Sequence, residues 1–409
     1  MRRPILTIFY QFNPWHTSIG GIQTLISTFI KYAPREFEVR LVGTGNDPTQ
    51  PTGKWQEAEL AGRAIHFMPL FTLQNDNRRS LVPTTIKYTA ALLGRCFASD
   101  FMHFYRLEPT LATLQWPGEK TLFIQNDIQK QMEPRGKKNT LLWQRFPAGY
   151  FALERLLISQ FTQIFSCNTA SMEFYLKRYP AIAERVFFLK NTVDNDVFYP
   201  LPTLDERESG RRTFARQMGL AEDKRFVLFA GRLHPQKDPI LLIRSMAALN
   251  EPNIHLLLAG DGELADEVRS EICRLGLSKQ VTMLGPVNQA KLAELHRICN
   301  AFVLTSAYEG LPFAVLEALA CGTPVVTTRC GETPKLLSAD SGIVCEERTP
   351  VALADALRKV LLHPDDYPSK SCVRAAQPYS ARTVVSDVYS EMLQRWEQRT
   401  FSSVSSVSP

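Results

Sequence analysis

The stretch from Ala301 to Val326 constrains the fold more than any other part of the chain. It begins with a short apolar run, Ala301–Leu304, which is typical of a buried parallel strand. After a polar loop, Leu311 and Pro312 begin a helix that ends before a second apolar run. A strand, loop, helix and strand in this order indicate a βαβ unit, and therefore an α/β fold with a parallel sheet.

Two carboxylates of this stretch lie where open α/β sheets bind ligands, outside the carboxyl ends of the strands. Glu309 falls in the loop after the first strand, and Glu317 falls about two turns into the helix. Carboxylates accept hydrogen bonds from sugar or ribose hydroxyls, and N–H groups at a helix start face anionic oxygen. Two solvated glutamates on a surface helix are the alternative, which the spacing alone favours.

The composition is that of a soluble globular protein, with 44% hydrophobic and 22% charged residues. Its 409 residues are enough for two cores. The eight cysteines occur singly, which indicates reduced thiols rather than a zinc site or a disulfide framework. No apolar run has the length of a signal peptide or a membrane span, so we expect a cytoplasmic protein.

The charge is uneven along the chain. Residues 1–200 carry 23 Lys and Arg against 16 Asp and Glu, a net +7, whereas residues 201–409 carry 24 against 25, a net −1. The basic half suggests an anionic partner, either a phospholipid surface on the inner face of the plasma membrane or a pyrophosphate-lipid acceptor. A solvated basic surface explains the charge equally well. No nucleic-acid partner is expected, because no recognisable binding module accompanies the charge. We interpret the aromatic helical stretch 141–161 as packed on the sheet rather than dipping into lipid.

Polar side chains follow two predicted strands of the first half. His103 lies near the end of one strand, and a packed core histidine explains it as well as a functional residue does. Gln125, Asn126 and Asp127 follow the next strand and are candidates for contact with an acceptor.

Glycines and cations stand at two predicted strand-to-helix loops. Gly20 and Gly21 begin a helix, where glycine lets the backbone approach a phosphate closely, although a plain turn is the commoner use of such a pair. Gly231 follows a buried strand, and the loop that it opens carries Arg232 and Lys237. A guanidinium and an ammonium in such a loop suit neutralisation of a pyrophosphate.

The series of βα units implies two doubly wound, Rossmann-like domains with a cleft between them. We interpret Asp194 and Asp196, in the connection between the domains, as turn residues and predict no metal site there. The predicted divisions are an N-terminal domain over 1–200, a linker over 201–225, a C-terminal domain over 226–378, a final helix over 379–399 and a disordered tail over 400–409.

Several motifs together, in this order, resemble those of retaining GT-B glycosyltransferases of family 4 (group 1). The resemblance covers nearly the whole chain and is strongest from Phe226 to Val344. The matched strings are Gly20–Gly21; Asn191–Asp194 with Phe198 and Pro200; Gly231–Arg232 with Lys237–Asp238; Gly260–Glu263; and the stretch from Ala301 to Val326.

The resemblance implies that Arg232 and Lys237 hold the diphosphate of a nucleotide-sugar donor, which the C-terminal domain binds. Glu309 would contact the donor sugar and Glu317 the ribose, and the final helix would cross back to the first domain. The catalytic candidates are Arg232, Lys237, Glu309 and His103. The candidate donor-binding residues are Gly20, Gly21, Gly231, Gly262, Gly310, Leu311, Pro312, Phe313 and Glu317.

Three positions depart from the family pattern. Gln23 stands where the first glycine motif often has an acid, and Lys335 stands after Pro334 where a glutamate is common. A histidine that the family often carries is replaced by Gln125 or Tyr105. These departures leave the donor-binding motifs whole and bear on the acceptor side.

The expected activity is retaining transfer of a hexosyl unit from a nucleotide-diphosphate sugar to a hydroxyl acceptor, without metal or cofactor. The acceptor would be a carbohydrate or a lipid-linked sugar, as in exopolysaccharide, lipopolysaccharide or glycolipid synthesis. Two other functions stay open: a sugar-nucleotide epimerase on the same fold, and a non-catalytic sugar-nucleotide-binding subunit of a glycosylation complex. A dinucleotide-dependent dehydrogenase is disfavoured, because no Gly-x-Gly-x-x-Gly motif follows a strand.

Overall fold

The chain divides into two compact units. Unit 1 contains the residues up to 190 and those from 381 onward, and unit 2 contains residues 191–380 together with Gly20 and Gly21. Each unit is an α/β domain built on a largely parallel sheet, as the sequence predicts. The computed structural model describes residues 2–15, 20–47, 49, 51–73, 82–125 and 146–405.

Unit 1 is built on an eight-stranded sheet covered by helices. Its strands are β1 (Ile5–Phe9), β2 (Glu38–Gly45), β3 (Gln56–Leu60), β4 (Arg63–Thr72), β5 (Phe101–Phe104), β6 (Glu119–Ile124), β7 (Gln163–Ser166) and β8 (Val186–Phe188). Their order is β3-β4-β2-β1-β5-β6-β7-β8, and only the β3–β4 pair among these is antiparallel. The described helices are α1 (Gly21–Lys31), α2 (Thr84–Leu92), α3 (Pro147–Leu157), α4 (Thr169–Arg178) and α13 (Ala381–Ser405), with 3₁₀ helices at Glu108–Thr113, Ile158–Gln160 and Pro180–Arg185.

The two faces of this sheet have different covers. On one face, Tyr88 of α2, Tyr150 of α3 and Tyr175 of α4 share a hydrophobic core with the strands, and the 3₁₀ helix Glu108–Thr113 packs against it. On the other face, Phe29 of α1 contacts the ring of Tyr389 of α13. Both sides of the central strands β1 and β5 are therefore buried, which explains why these two strands are mostly apolar.

The hairpin of β3 and β4 places β3 at one edge of the sheet. β3 has the sequence QEAEL, which is polar because it is an edge strand with one exposed face. Ala61 and Gly62 join the two strands with φ of 54° and 77°, as a two-residue type I′ turn requires. An alanine in that position gives the sequence no ordinary turn signal.

Unit 2 is a six-stranded, wholly parallel sheet with helices. Its strands are β9 (Arg225–Ala230), β10 (Ile254–Ala259), β11 (Val281–Gly285), β12 (Ala301–Leu304), β13 (Val325–Thr328) and β14 (Gly342–Cys345). Its helices are α5 (Leu204–Gln217), α6 (Pro239–Leu249), α7 (Ala265–Arg274), α8 (Gln289–Ile298), α9 (Phe313–Ala320), α10 (Thr333–Leu336), α11 (Pro350–Leu362) and α12 (Ser369–Ala376), with 3₁₀ helices at Pro364–Asp366 and Gln377–Tyr379.

The strand order of unit 2 is β11-β10-β9-β12-β13-β14. After β9, the strands β10 and β11 are added on one side of it. β12 then lies on the other side of β9, and β13 and β14 follow outward from β12. β9 and β12 are therefore the neighbours at which the order reverses, and ligands of doubly wound sheets bind outside the carboxyl ends of such a pair.

The predicted linker over 201–225 is largely the helix α5, which belongs to unit 2. Thr203 caps the helix, because its hydroxyl accepts a hydrogen bond from the N–H of Glu206 at 3.2 Å. Phe214 is buried and packs edge-on against Phe226 of β9. Most of the helix is polar and only a short stripe faces the core, so the sequence indicates no more than a linker with a short helix here.

The chain passes from unit 1 to unit 2 after Lys190 and returns after Ser380. Inside unit 2 these two passages adjoin, since the N–H of Val193 donates to the carbonyl of Tyr379 at 2.8 Å. The N–H of Asp196 donates to Oδ1 of Asp194 at 3.1 Å, which is the turn that the sequence predicts.

The final helix belongs to unit 1, as expected from the sequence. The hydroxyl of Tyr389 donates to the carbonyl of Phe29 at 2.8 Å, and Nε of Arg395 lies 3.0 Å from Oε2 of Glu119. The helix runs to Ser405, so the predicted tail over 400–409 begins inside it; residues 406–409 lie outside the described part. Among the described residues, no helix combines the length and apolar character needed to cross a membrane.

Candidate functional site

The loop after β9 carries the two predicted cations and is held by close backbone packing. The N–H of Leu233 donates to the carbonyl of Asp261 at 3.0 Å, which joins this loop to the one after β10. A Cβ at Gly260 would lie 2.0 Å from the carbonyl oxygen of Gly231, and φ of Gly260 is +137°. A Cβ at Gly262 would lie 2.5 Å from the carbonyl oxygen of Leu233. Glycine is therefore required at 260 and 262 because the two loops touch through their backbones.

The helix that follows this loop begins with a well-defined cap. Asp238 has a left-handed φ of 46°, and its carboxylate accepts a hydrogen bond from the N–H of Leu241 at 3.1 Å. Pro239 occupies the first helical turn, where it needs no hydrogen-bond partner for its nitrogen. The cap fixes the backbone of Asp238, and because Lys237 is the preceding residue, the cap also helps to position the Cα of Lys237.

The loop after β12 is tied to the loop after β9 by three hydrogen bonds. The N–H of Ala307 donates to the carbonyl of Gln236 at 2.8 Å. The side chain of Gln236 donates to the carbonyl of Tyr308 at 3.0 Å. The hydroxyl of Thr305 donates to the carbonyl of Lys237 at 2.8 Å. These bonds bring residues some 70 positions apart to one edge of the sheet.

Lys237 and Glu309 form an ion pair at this edge. Nζ of Lys237 lies 2.6 Å from Oε1 of Glu309, and their side chains are only 21% and 8% exposed. A pair with so little solvent resists screening, and loss of either partner leaves an uncompensated charge. The two residues that the sequence predicts for diphosphate and sugar are therefore in direct contact.

Glu317 lies in α9 beside this pair. Its side chain is buried, and burial raises the pKa of its carboxyl to about 7, although the charge of Lys237 lowers it in part. The carboxyl thus titrates near neutral pH and can either accept or donate a hydrogen bond. Lys237, Glu309 and Glu317 form one cluster of a cation and two acids, which we call the acid–lysine cluster.

Arg232 lies on the same loop but outside the acid–lysine cluster. Its side chain is exposed and makes no hydrogen bond or ion pair with another described residue. The structure therefore brings together three of the four residues on which the predicted donor site depends, and leaves Arg232 on the adjoining surface.

The backbone from Gly310 to Phe313 is held on both sides. The side chain of Asn191 donates to the carbonyl of Leu311 at 2.6 Å, and the N–H of Glu332 donates to the carbonyl of Gly310 at 2.9 Å. Pro312 is the N-cap residue of α9, which begins at Phe313. The N–H groups of the first turn therefore lie at the carboxyl edge of the sheet, where the acid–lysine cluster also lies. Such a turn can accept the oxygens of a phosphate.

Gly331 is a site residue that the sequence analysis missed. Its φ is +55°, and a Cβ there would lie 2.0 Å from the carbonyl oxygen of Gly310. The neighbouring Cys330 is buried, and burial together with the charge of Glu309 raises the pKa of its thiol to about 12. The available signal was the Cys330–Gly331 pair itself, which follows a predicted strand as Gly231 does.

Gly20 and Gly21 stand at the start of α1, as predicted, and group with unit 2 by their contacts. Their predicted role toward a diphosphate stays a prediction.

His103 is a core residue of unit 1. Its ring packs between Phe29 and Phe123, with centroids 5.5 Å and 4.9 Å away. Burial, with a contribution from the charge of Arg395, lowers the pKa of its imidazole to about 3. The ring is therefore neutral at physiological pH, and the packed core histidine is the interpretation that the structure supports over a catalytic one.

The predicted acceptor-side residues are described only in part. Gln125 follows β6, and its buried Oε1 has no hydrogen-bond partner among the described residues. The buried hydroxyl of Tyr105, after β5, lacks one in the same part of the chain. Asn126 and Asp127 lie outside the described residues.

Comparison with known families identifies the second unit. Residues 210–377 match the family model described as Glycosyl transferases group 1. The chain is 27% identical over 275 residues to a D-inositol 3-phosphate glycosyltransferase of Streptomyces coelicolor, a match that covers 62% of this chain and 60% of that protein. Matches to three curated relatives span 38%, 43% and 60% of the relatives' own length.

Two solved structures share the fold over nearly the whole chain. Sucrose-phosphate synthase from Thermosynechococcus elongatus superposes with a TM-score of 0.78 at 17% identity, covering 98% of this chain and all of that one. Anabaena HepE in complex with UDP-glucose superposes with a TM-score of 0.71 at 19% identity, covering 96% of this chain and all of that one. Similarity at this level of identity establishes the architecture.

Proposed function

Residues 210–377 belong to the group 1 glycosyltransferases and the chain has the GT-B fold. On that premise we propose that the chain transfers a hexosyl unit from a nucleotide-diphosphate sugar to a hydroxyl acceptor with retention of configuration. The observation that carries the proposal is the acid–lysine cluster at the point where the strand order of unit 2 reverses. A cation and two acids there suit a ligand that bears phosphates and hydroxyls together.

In the proposed reaction, the bond between the anomeric carbon and the donor's terminal phosphate oxygen breaks. A bond from the acceptor oxygen to that carbon forms on the same face of the sugar ring. The acceptor hydroxyl gives its proton to the departing phosphate, so the nucleoside diphosphate leaves and no separate protein base is needed. The enzyme contributes by positioning the two substrates and by stabilising charge on the phosphate.

Each residue of the cluster has its own part in this proposal. Lys237 stabilises the developing phosphate charge, and Arg232 on the same loop contacts the diphosphate from the solvent side. Glu309 accepts hydrogen bonds from the sugar hydroxyls, and Glu317 binds the ribose. The N–H groups of Gly310, Leu311 and Phe313 contact the phosphates.

The proposed reaction requires no metal, because Lys237, Arg232 and the helix start supply the positive potential that a divalent cation provides elsewhere. We also propose that the acceptor is a carbohydrate or a lipid-linked sugar on the inner face of the plasma membrane. The net +7 charge of residues 1–200 supports this location, because that membrane surface is anionic.

The experiment is a transfer assay with purified protein, starting with UDP-glucose because HepE was crystallised with it. A panel of nucleotide sugars follows, in buffer containing EDTA, with the anomeric configuration of the product read by NMR. An inverted product, or activity only after a divalent metal is restored, contradicts the mechanism. Donor incubated alone separates the open alternatives: an epimeric sugar nucleotide identifies an epimerase, and binding without turnover across an acceptor panel identifies a non-catalytic subunit.

A further inference from the structure

One face of unit 1 has an outer layer that is unusually apolar. Helices α2, α3 and α4 and the 3₁₀ helix Glu108–Thr113 cover this face and share its core. Of the fourteen large apolar side chains that are exposed in the described residues, seven lie on or beside this layer. Half of the exposed apolar side chains of the described chain are thus concentrated on one layer, which scattered surface residues do not explain.

Five exposed apolar side chains lie in or near α2. Val82 precedes the helix, Ile86 lies within it and Leu93 is its C-cap residue. Leu111 and Leu114 lie in and just after the 3₁₀ helix Glu108–Thr113, which packs against α2. Each of these five side chains is at least 39% exposed.

Helix α3 extends the apolar surface. Tyr150 and Leu157 face the core, as predicted for a helix packed on the sheet, but Phe146 and Leu156 are about 60% exposed. A groove of about 840 Å³ between α3 and α4 is lined by Phe151, Leu156 and others. Helix α3 therefore has apolar residues on its outer side as well as on its inner one.

The charges of this layer are almost all positive. Residues 82–95, 108–114, 146–157 and 169–178 carry five exposed cations and one exposed acid, Glu173. The cations are Lys87, Arg95, Arg155, Lys177 and Arg178. Arg178 also lies over the ring of Phe151, with 4.1 Å between its Cζ and the ring centroid, so cationic and apolar groups are interleaved.

We propose that this layer is a docking surface for an anionic phospholipid bilayer. Exposed aliphatic and aromatic side chains enter the acyl boundary, and the surrounding cations contact the lipid phosphates. The excess of cations favours this occupant over a second copy of the chain, because two such surfaces repel each other. Binding of this kind needs no turnover, so its test is independent of the proposed reaction.

The test is flotation of the purified full-length chain with phosphatidylcholine vesicles, with and without an equal amount of phosphatidylglycerol. We expect binding only to the phosphatidylglycerol vesicles, and its release at about 0.5 M NaCl. In the triple variant Ile86→Ser/Leu93→Ser/Leu156→Ser, the lipid concentration for half-maximal binding should rise about tenfold or more.

The matched control is Val351→Ser/Leu362→Ser, which removes two exposed apolar side chains from α11 of unit 2. It should bind vesicles as the wild type does, and circular dichroism shows whether each variant is folded. Equal binding to both kinds of vesicle, or unchanged binding of the triple variant, overturns the proposal. Self-association that the triple variant abolishes, without vesicle binding by the wild type, assigns the layer to a protein interface instead.

Discussion

Nζ of Lys237 lies 2.6 Å from Oε1 of Glu309, and both side chains are largely removed from solvent. The loop after β9 supplies the cation and the loop after β12 supplies the acid. Either charge alone would be costly at this depth, so each residue stabilises the other. The pair also holds a positive and a negative group at fixed positions. In the proposed function, the phosphate of the donor contacts Lys237 and the sugar hydroxyls of the donor contact Glu309.

Lys237→Ala should reduce kcat/KM about 100-fold to 1,000-fold, because loss of one charge-assisted contact raises the barrier by roughly 2.7–4 kcal/mol. It should also lower the free energy of unfolding by about 1–3 kcal/mol, since Glu309 is left buried without its partner. Steady-state kinetics and urea denaturation measure the two effects. The control is Lys291→Ala, which removes a lysine from an exposed pair with Glu294 and should change neither quantity. Wild-type rates in Lys237→Ala would remove Lys237 from the mechanism.

Glu309→Gln should impair transfer while the fold stays intact. The amide keeps the size of the side chain and can still accept a hydrogen bond from Lys237, but it no longer carries the negative charge. We expect a fall of about tenfold or more in kcat. The melting temperature should fall less than in Lys237→Ala, because Lys237 is 21% exposed and keeps a hydrogen-bond acceptor. Glu294→Gln, on the surface of α8, is the matched control. A variant with normal kcat would show that the charge of Glu309 serves only to hold Lys237.

Glu317 should make stability depend on pH. Its pKa is raised from 4.5 to about 7 by burial, so the folded chain holds this proton more tightly than the unfolded chain does. Stability from this group is therefore fully present below pH 4.5 and declines as the pH rises to about 7. Glu317→Gln removes the decline.

The melting temperature of Glu317→Gln minus that of the wild type should therefore increase by a few degrees between pH 5 and pH 7.5. Glu332, which is also buried in unit 2, offers a comparison through Glu332→Gln. A temperature difference for Glu317→Gln that stays constant over this range would show that the carboxyl titrates as an ordinary glutamate.

Gly331→Ala should damage the site more than the same change at another left-handed glycine. At Gly331 the new methyl group would meet the carbonyl oxygen of Gly310, whereas Gly276, with φ of +70°, has open space around it. Gly276→Ala thus reports the cost of the backbone angle alone, about 1 kcal/mol. Gly331→Ala should cost about 2 kcal/mol more and should raise KM for the donor. Equal effects of the two changes would mean that the contact with Gly310 is relaxed without consequence.

The fold follows from local patterns wherever an element is buried on both sides. β12 is an uninterrupted apolar run, and so is β9 after its first residue, Arg225. α9 carries its apolar residues at helical spacing, so each of the three elements was predicted near its observed bounds. β3 was missed, and α5 was predicted only as a short helix within a linker, because both are mostly polar and bury only a narrow face. Their positions depend on neighbours far away in the chain, which periodicity does not report.

The same distinction separates the parts of the candidate site. Residue type and position at a strand end predicted Lys237, Glu309 and Glu317 as members of a site. Their mutual contact required three hydrogen bonds between loops, which no local pattern encodes. The importance of Gly331 likewise depends on the carbonyl of Gly310 across the site, and His103 was ambiguous because its aromatic neighbours come from other elements.

The return of the chain to unit 1 has a consequence for biosynthesis. Apart from Gly20 and Gly21, unit 2 is one continuous segment in which Val193 and Tyr379, near its two ends, are hydrogen-bonded, so a ribosome completes it in a single interval. Unit 1 has to wait for α13, which supplies the buried Tyr389 and the partner of Glu119. The later segment of the polypeptide is thus able to mature first, and the nascent amino-terminal lobe stays unfinished until translation reaches its closing helix.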